Sequence, residues 1–297
     1  MNSVRTSRPV ARLVGDVLLP RLTAVALWAW VAFNLALVAW VGLQSLKTSG
    51  DVWLRPFALP SSLEWQNYSS AWQAAQFSKA ALNSVLLTGV GAFLIVGIAA
   101  PAAYALARSS RRAAGPLTSY FAMGMSIPLQ TLIIPIVVVK LSLNTFMVDW
   151  VTGWWDDRIT LLLFEVALSL PFAVFVLSGY LRSLPKEVEE AAEVDGAGPL
   201  RTFVQVIVPL ARPGFVTVLV LNVIGLWNST LLVMVIAPGE DERTLPVALL
   251  NLYGTMQYSS NWGGMFAGIA ILVYPMVVLY LWFGRRIVEG MTAGIGK

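Results

Sequence analysis

The residues that could do chemistry in this sequence are few, because its most versatile side chains are absent. The 297 residues include no Cys and no His, which excludes thiolate nucleophiles, disulfides, His-ligated metals and imidazole bases. They contain no Gly-x4-Gly-Lys-Ser/Thr loop, so this type of nucleotide site is also excluded. What remains is one acid inside a long apolar stretch, Glu165, and a polar cluster at Trp227-Asn228-Ser229-Thr230. A lone acid without a second acid or base argues against an intramembrane enzyme.

Polar side chains inside apolar stretches predict a path for a polar solute, because such groups face protein or water rather than lipid. Aromatic rings with amides and hydroxyls suit a sugar, which offers C–H faces to rings and hydroxyl groups at its rim. The candidates for this pathway are Trp227, Asn228, Ser229, Glu165, Asn83 and Gln130. The alternatives are interhelical hydrogen bonds for the polar side chains and packing for Trp227. For Glu165 we favour an ion pair with Lys140 or Arg158 over sugar contact, since an unpaired carboxylate is costly in a membrane.

The composition places these residues in a bilayer. The chain is 57% hydrophobic and 12% charged, with a mean hydropathy of +0.72, whereas soluble domains carry about a quarter charged residues. A transmembrane helix needs roughly 20 mostly apolar residues, and six stretches qualify. They predict an all-α polytopic membrane protein with spans at about Leu22–Leu43, Leu82–Ala107, Leu117–Val139, Ile159–Leu181, Gly214–Ala237 and Met265–Gly284.

The distribution of Lys and Arg predicts the orientation, because short basic loops stay in the cytoplasm. Fourteen basic residues lie on one side of the predicted spans and six on the other, so both termini are expected to be cytoplasmic. A cleaved signal peptide is the alternative for the first span, but the apolar run is too long and lacks a small-residue cleavage pattern. We therefore expect a cytoplasmic tail, the first span and an external segment in residues 1–81, a core of five spans in 82–284, and a cytoplasmic tail in 285–297.

The cytoplasmic loop at 182–213 contains a short predicted helix from about Pro185 to Asp195. Pro185 suits a first helical turn, the acids after it suit the positive end of the helix dipole, and Gly196 suits a left-handed stop. Spacing of three and four residues gives this helix one face of small or modest side chains, which another surface could approach closely. That face consists of Val188, Ala191, Ala192 and Asp195. The alternative is a solvated connector between two membrane helices.

The order of residues in this loop resembles the permease subunits of ATP-driven importers. Glu190-Ala191-Ala192, then Gly196, then Val206-Ile207-Val208-Pro209 follows the cytoplasmic loop of that family, and Arg212-Pro213 looks like its carbohydrate branch. Over about residues 45 to 297 the chain resembles carbohydrate permeases similar to the shorter permease of the maltose importer. The segments that carry this likeness are Asn83-Ser84, Ala103-Tyr104-Ala105-Leu106-Ala107-Arg108, Ile127-Pro128-Leu129-Gln130, Leu226-Trp227-Asn228, Thr244-Leu245-Pro246-Val247, Asn261-Trp262-Gly263 and the ending from Arg285 to Gly294.

The resemblance implies the fold of a type I ABC importer permease, a sugar or oligosaccharide as cargo, and the cytoplasmic membrane of a bacterium or archaeon. It implies as partners a second permease, an extracytoplasmic sugar-binding protein and two ATP-binding subunits, which hold the ATP and Mg that this chain does not bind. A self-sufficient secondary transporter or channel is the alternative, but it would more often show an internal repeat. The resemblance further implies that the loop helix couples the chain to an ATP-binding subunit through Glu187, Val188, Glu190, Ala191, Ala192, Asp195 and Gly196.

Overall fold

The computed structural model describes residues 19–150 and 155–293, and every regular element in these two ranges is helical. The predicted N-terminal tail and the last residues of the C-terminal tail lie outside the described residues. The helices are α1 (Leu19–Ser45), α2 (Ser49–Leu54), α3 (Gln66–Ala74), α4 (Phe77–Arg108), α5 (Arg111–Met125), α6 (Leu129–Trp150), α7 (Asp157–Arg182), α8 (Glu187–Val194), α9 (Pro199–Leu210), α10 (Arg212–Trp227), α11 (Leu231–Ile236), α12 (Leu245–Tyr258) and α13 (Trp262–Ala293).

Among the described residues, five helices are long and apolar enough to cross a membrane, and a bent pair raises the number to six. The pair is α9 with α10, which meet at 75°. The first, second, fourth and sixth predicted stretches each lie inside one of the five helices, so these predictions are confirmed. The five helical segments are Pro20–Ser45, Phe77–Arg108, Leu129–Met147, Asp157–Arg182 and Trp262–Arg285.

The third and fifth predicted spans are not continuous helices, so their predicted bounds are wrong. The third crosses a break at 126–128, between α5 and α6, and the fifth crosses a break at 228–230, between α10 and α11. Pro128 has no N–H and disfavours a helical residue before it. At the second break the Asn228 amide donates to the carbonyl of Ile224 at 2.8 Å, and such local bonds compete with a continuing helix.

The chain forms two compact units, and the smaller comprises the described part of residues 1–71 together with 255–271. A clamp around the carbonyl of Pro56 holds the segment after α1 to the end of that helix. This carbonyl accepts hydrogen bonds from Trp40 Nε1 at 3.0 Å, from Lys47 Nζ at 3.1 Å and from the Gln44 amide. The ammonium group of Lys47 is buried. It donates a hydrogen bond to a backbone carbonyl rather than to a carboxylate.

The larger unit, residues 72–254 with 272–297, has its core where α4, α7 and α10 pack together. Small side chains on α4, such as Ala92, Ala99 and Ala103, are fully buried there and allow close approach of neighbouring helices. Gly214 near the start of α10 also allows a neighbouring helix to approach closely, because it has no Cβ atom. A Cβ atom at this position would lie 2.5 Å from the ring of Tyr180 on α7.

We therefore expect Gly214→Ala to destabilise the protein, although alanine is the better helix former. The buried Tyr180 ring would have to move, and overpacking of this kind costs about 1–3 kcal/mol. A lower melting temperature of the purified protein would reveal the cost. Gly97→Ala on α4 is the matched control, because nothing lies within 4 Å of a Cβ atom there. A melting temperature that is equal in the two variants would contradict the contact.

Candidate functional site

The two helix breaks and the middle of α7 surround one cavity of about 400 Å³ in the larger unit. Irregular backbone is tolerated at membrane depth where it is buried in protein or lines a water-filled space. Discontinuous helices that meet at a polar cavity are also how many transporters build their solute sites. The residues that matter for its chemistry are Glu165, Ser169, Ser229, Gly124, Phe172 and Gly225.

Glu165 is the only charged residue among those that line this cavity in the described part of the chain. It lies on α7 about 12 Å from the first residue of that helix, at 1.5 Å per residue. Glu165 is 4% exposed, and the hydroxyl of Ser229 hydrogen-bonds to its carboxyl group. A carboxylate and two serine hydroxyls can accept and donate hydrogen bonds to a polyhydroxylated solute.

The predicted ion pair of Glu165 with Lys140 or Arg158 is wrong for the described structure. Lys140 Nζ instead pairs with Asp157 at 2.7 Å, and Arg158 pairs with Asp156 at 2.6 Å. Both acids stand at the start of α7, where they are close to water and to the bases. Glu165 lies about two helical turns deeper, so the bases reach the nearer acids and Glu165 has no basic partner among the described residues.

The other predicted pathway residues do not gather at this cavity. The indole of Trp227 is buried and its Nε1 has no hydrogen-bond partner in the described residues. Asn228 and Gln130 are exposed but lie outside the cavity lining. The structure thus brings together Glu165 and Ser229, which the sequence analysis named for the pathway, with Ser169, another polar residue of the same apolar stretch, one helical turn after Glu165.

Asn83 lies outside the cavity lining and hydrogen-bonds to the turn after α11. Its amide donates to the carbonyls of Asp241 at 2.8 Å and Arg243 at 3.1 Å, which ties the turn after α11 to α4. Lys79, one turn earlier, binds the Asp241 carboxylate at 2.5 Å and holds the pKa of that carboxyl below its usual value. The pair is exposed to solvent, so salt screens it.

The loop helix is present as α8, Glu187–Val194, two residues later at its start and one earlier at its end than predicted. Gly196 has φ +79° and ends the helix as expected. Its N–H donates to the carbonyl of Glu193 at 3.0 Å, and the N–H of Ala197 donates to that of Ala192 at 2.9 Å. This pair of bonds is a Schellman motif, which requires the left-handed conformation that glycine adopts without strain.

The predicted contact face of α8 divides between the interior and the solvent. Ala192 is buried against its own chain and Val188 is half-buried. The residues that remain accessible include two apolar side chains, Val194 at 88% and Leu200 at 76% exposed. The name exposed face of α8 is used here for Glu187, Glu190, Ala191 and Val194 on the helix, together with Asp195 directly after it and Leu200 on α9.

An ion pair fixes α8 to the end of α4. Arg108 Nε donates to the carboxylate of Glu189 at 2.6 Å, and the hydroxyl of Tyr104 donates to the same carboxylate at 3.1 Å. Another nitrogen of Arg108 donates to the carbonyl of Leu181 at 3.1 Å. Sequence analysis missed this anchor. Tyr104 and Arg108 share a helix face at four-residue spacing, but nothing local indicates that Glu189 is their partner.

Discontinuous helices that border a cavity with a few polar side chains are common in membrane transporters. Residues 94–292 match the family described as binding-protein-dependent transport system inner membrane component, and this chain belongs to that family. It is therefore a transport permease component of the ABC importer type.

Two relatives and one solved structure illustrate the likeness. The diacetylchitobiose uptake system permease protein NgcG of Streptomyces coelicolor is 34% identical over 89% of this chain and 85% of its own. The trehalose transport system permease protein SugB of Mycobacterium tuberculosis is 33% identical, over 90% of this chain and 94% of its own. A bacterial ABC transporter that imports the acidic polysaccharide alginate shares the fold, with a TM-score of 0.73 at 22% identity, over 95% of this chain and 99% of that one.

Proposed function

We propose that this chain is the permease subunit of an importer that takes up a sugar or oligosaccharide delivered by an extracytoplasmic binding protein. The family membership and the sugar uptake systems named for its relatives support this function. The observation that carries it is α8, which a largely buried ion pair holds in place while Val194 is 88% exposed. A self-sufficient transporter has no use for such a helix, whereas a subunit that docks on a partner does.

The partners follow from this function. Two ATP-binding subunits bind the nucleotide and Mg, since the chain has no nucleotide-binding loop of its own, and a second permease completes the membrane part. We assign no enzymatic activity to this chain. Its coupling residues are those on the exposed face of α8, with Gly196 setting the end of the helix and Ala192 seating it.

Coupling works through the anchor between α8 and α4. When the ATP-binding subunits close on nucleotide, they displace α8, and the pair of Glu189 with Arg108 transmits this displacement to the span that carries Arg108. The core of α4, α7 and α10 then moves as a packed body, because interdigitated helices transmit strain. The sugar passes through the cavity at Glu165 and Ser229, which α7 and the break after α10 border.

Co-purification and uptake test this function directly. We expect the tagged chain to retain ATP-binding subunits in detergent, and cells that express the whole system to accumulate sugar only with its binding protein present. Uptake by the chain alone in vesicles, without ATP, would support the secondary transporter instead.

The orientation is testable because the chain has no native Cys. We expect Glu190→Cys on α8 to be protected from an impermeant thiol reagent in intact cells, since 182–213 is proposed to be cytoplasmic. Phe57→Cys, at a residue that is 90% exposed in the proposed external segment, is the matched positive control. Labelling at position 190 and protection at position 57 would reverse the orientation.

A further inference from the structure

The cavity between the helix breaks contains a carboxyl group, that of Glu165, with which no base of the described chain pairs. Its lining contains Glu165 and neither Lys nor Arg among the described residues. The bases of the neighbouring helix ends are taken by Asp156 and Asp157. The hydroxyl of Ser229 hydrogen-bonds to the carboxylate, and Ser169 is the other polar side chain of the described lining. Whenever Glu165 is ionised, a hydroxyl dipole does not cancel its charge in surroundings of low dielectric constant.

This charge has different consequences for different sugars. A neutral sugar can donate its hydroxyl protons to the carboxylate, and such charge-assisted bonds are stronger than neutral ones. An amine-bearing sugar adds a cation, which the cavity otherwise lacks. A sugar that carries a carboxylate brings a second negative charge into the same 400 Å³, where repulsion is poorly screened.

We infer that ionised Glu165 makes this cavity a charge filter, which admits neutral and amine-bearing sugars and rejects acidic ones. The inference rests on the proposed function and narrows its substrate class. Rejection of the wrong solute by a like charge is a common basis of specificity, because it needs no improved contact to the right one. Ser229 at the second helix break positions the carboxylate, and Phe172 supplies an apolar surface for the C–H face of a sugar ring.

Cysteine chemistry can measure the charge in the assembled complex. A single Ser169→Cys variant would be treated with two methanethiosulfonates of similar size, the cationic trimethylammonioethyl and the anionic sulfonatoethyl reagent. We expect the cationic reagent to react faster by about tenfold or more, beyond the ratio at the exposed control Ser259→Cys. Adding Glu165→Gln should abolish this preference, whereas Glu165→Asp, which keeps the charge, should preserve it.

Protection by sugars extends the test to the substrate class. Modification of Ser169→Cys by uncharged methyl methanethiosulfonate would be followed with glucose, glucosamine or glucuronate, which share a ring and differ in charge. Glucose and glucosamine should slow the reaction, whereas glucuronate should need about tenfold higher concentration. In the Glu165→Gln background the three sugars should protect alike.

Three results of the reagent experiment would overturn the inference. They are a cysteine at 169 that reacts with neither charged reagent, equal rates for the two reagents, and a preference that survives Glu165→Gln. Equal protection by glucuronate and glucose would do the same. None of these results bears on whether the chain co-purifies with ATP-binding subunits, so the charge filter and the importer function can fail separately.

Discussion

We expect Glu189→Arg to abolish sugar uptake, although the residue does not line the cavity. Arg108 and Glu189 have side chains that are each 15% exposed, so their charges are largely removed from water. Removing one partner of a buried pair costs about 3–5 kcal/mol, and reversal adds repulsion to that cost. The population with α8 seated on α4 then falls at least a hundredfold, at about 1.4 kcal/mol per tenfold. Uptake into cells and stimulation of ATP hydrolysis by the sugar-loaded binding protein are the measurements.

The exchanged pair, Arg108→Glu with Glu189→Arg, separates the ion pair from other effects. It keeps both charges at the same place and should regain part of the uptake that each single variant loses. Tyr104→Phe provides a graded comparison, because it removes one hydrogen bond worth about 1 kcal/mol and should reduce uptake less than tenfold. Normal uptake by Glu189→Arg would mean that α8 needs no anchor, and two inactive single variants without any rescue would mean that pairing is not the reason.

Val194→Asp is expected to remove the ATP-binding subunits while leaving the chain folded. Val194 is 88% exposed and makes no packing contribution within the described chain, so the substitution costs little in the isolated subunit. In the assembled importer it places an unpaired carboxylate in an apolar contact, at a cost of about 2 kcal/mol or more. That corresponds to about thirtyfold weaker docking, which quantitative co-purification and uptake would record.

Ala192→Trp is the informative contrast on the same helix. Ala192 is buried against its own chain, so a larger side chain there overpacks the seat of α8 and should lower the amount or the melting temperature of the permease itself. Val194→Thr keeps the shape of valine and should retain most of the ATP-binding subunits. If Val194→Asp assembles and transports normally, the exposed face of α8 is only solvated surface.

The amino-acid sequence alone was sufficient to show that most of this chain lies in a lipid bilayer and where its short loop helix ends. Long uncharged runs predict membrane helices, because in hydrocarbon the backbone N–H and C=O groups of each run must hydrogen-bond to one another. Four spans were found in this way. The helix α8 and its end at Gly196 were equally predictable, since a helix start, a dipole and a left-handed stop depend on neighbours within a few residues. The family could also be inferred from the sequence, because its loop motif is contiguous.

The tertiary structure alone decided which groups meet. The breaks at 126–128 and 228–230 contain no charged residue, so a search for long uncharged runs passes through them, although they border the cavity. The predicted partner of Glu165 was wrong because spacing along a helix shows only which residues share a face. In three dimensions, Asp156 and Asp157 compete with Glu165 for the same bases. Glu189 finds Arg108 across 81 residues of sequence, and this contact determines which side of α8 is exposed. Local patterns cannot encode such choices, because long-range packing sets the rotation of each helix after the helices have formed.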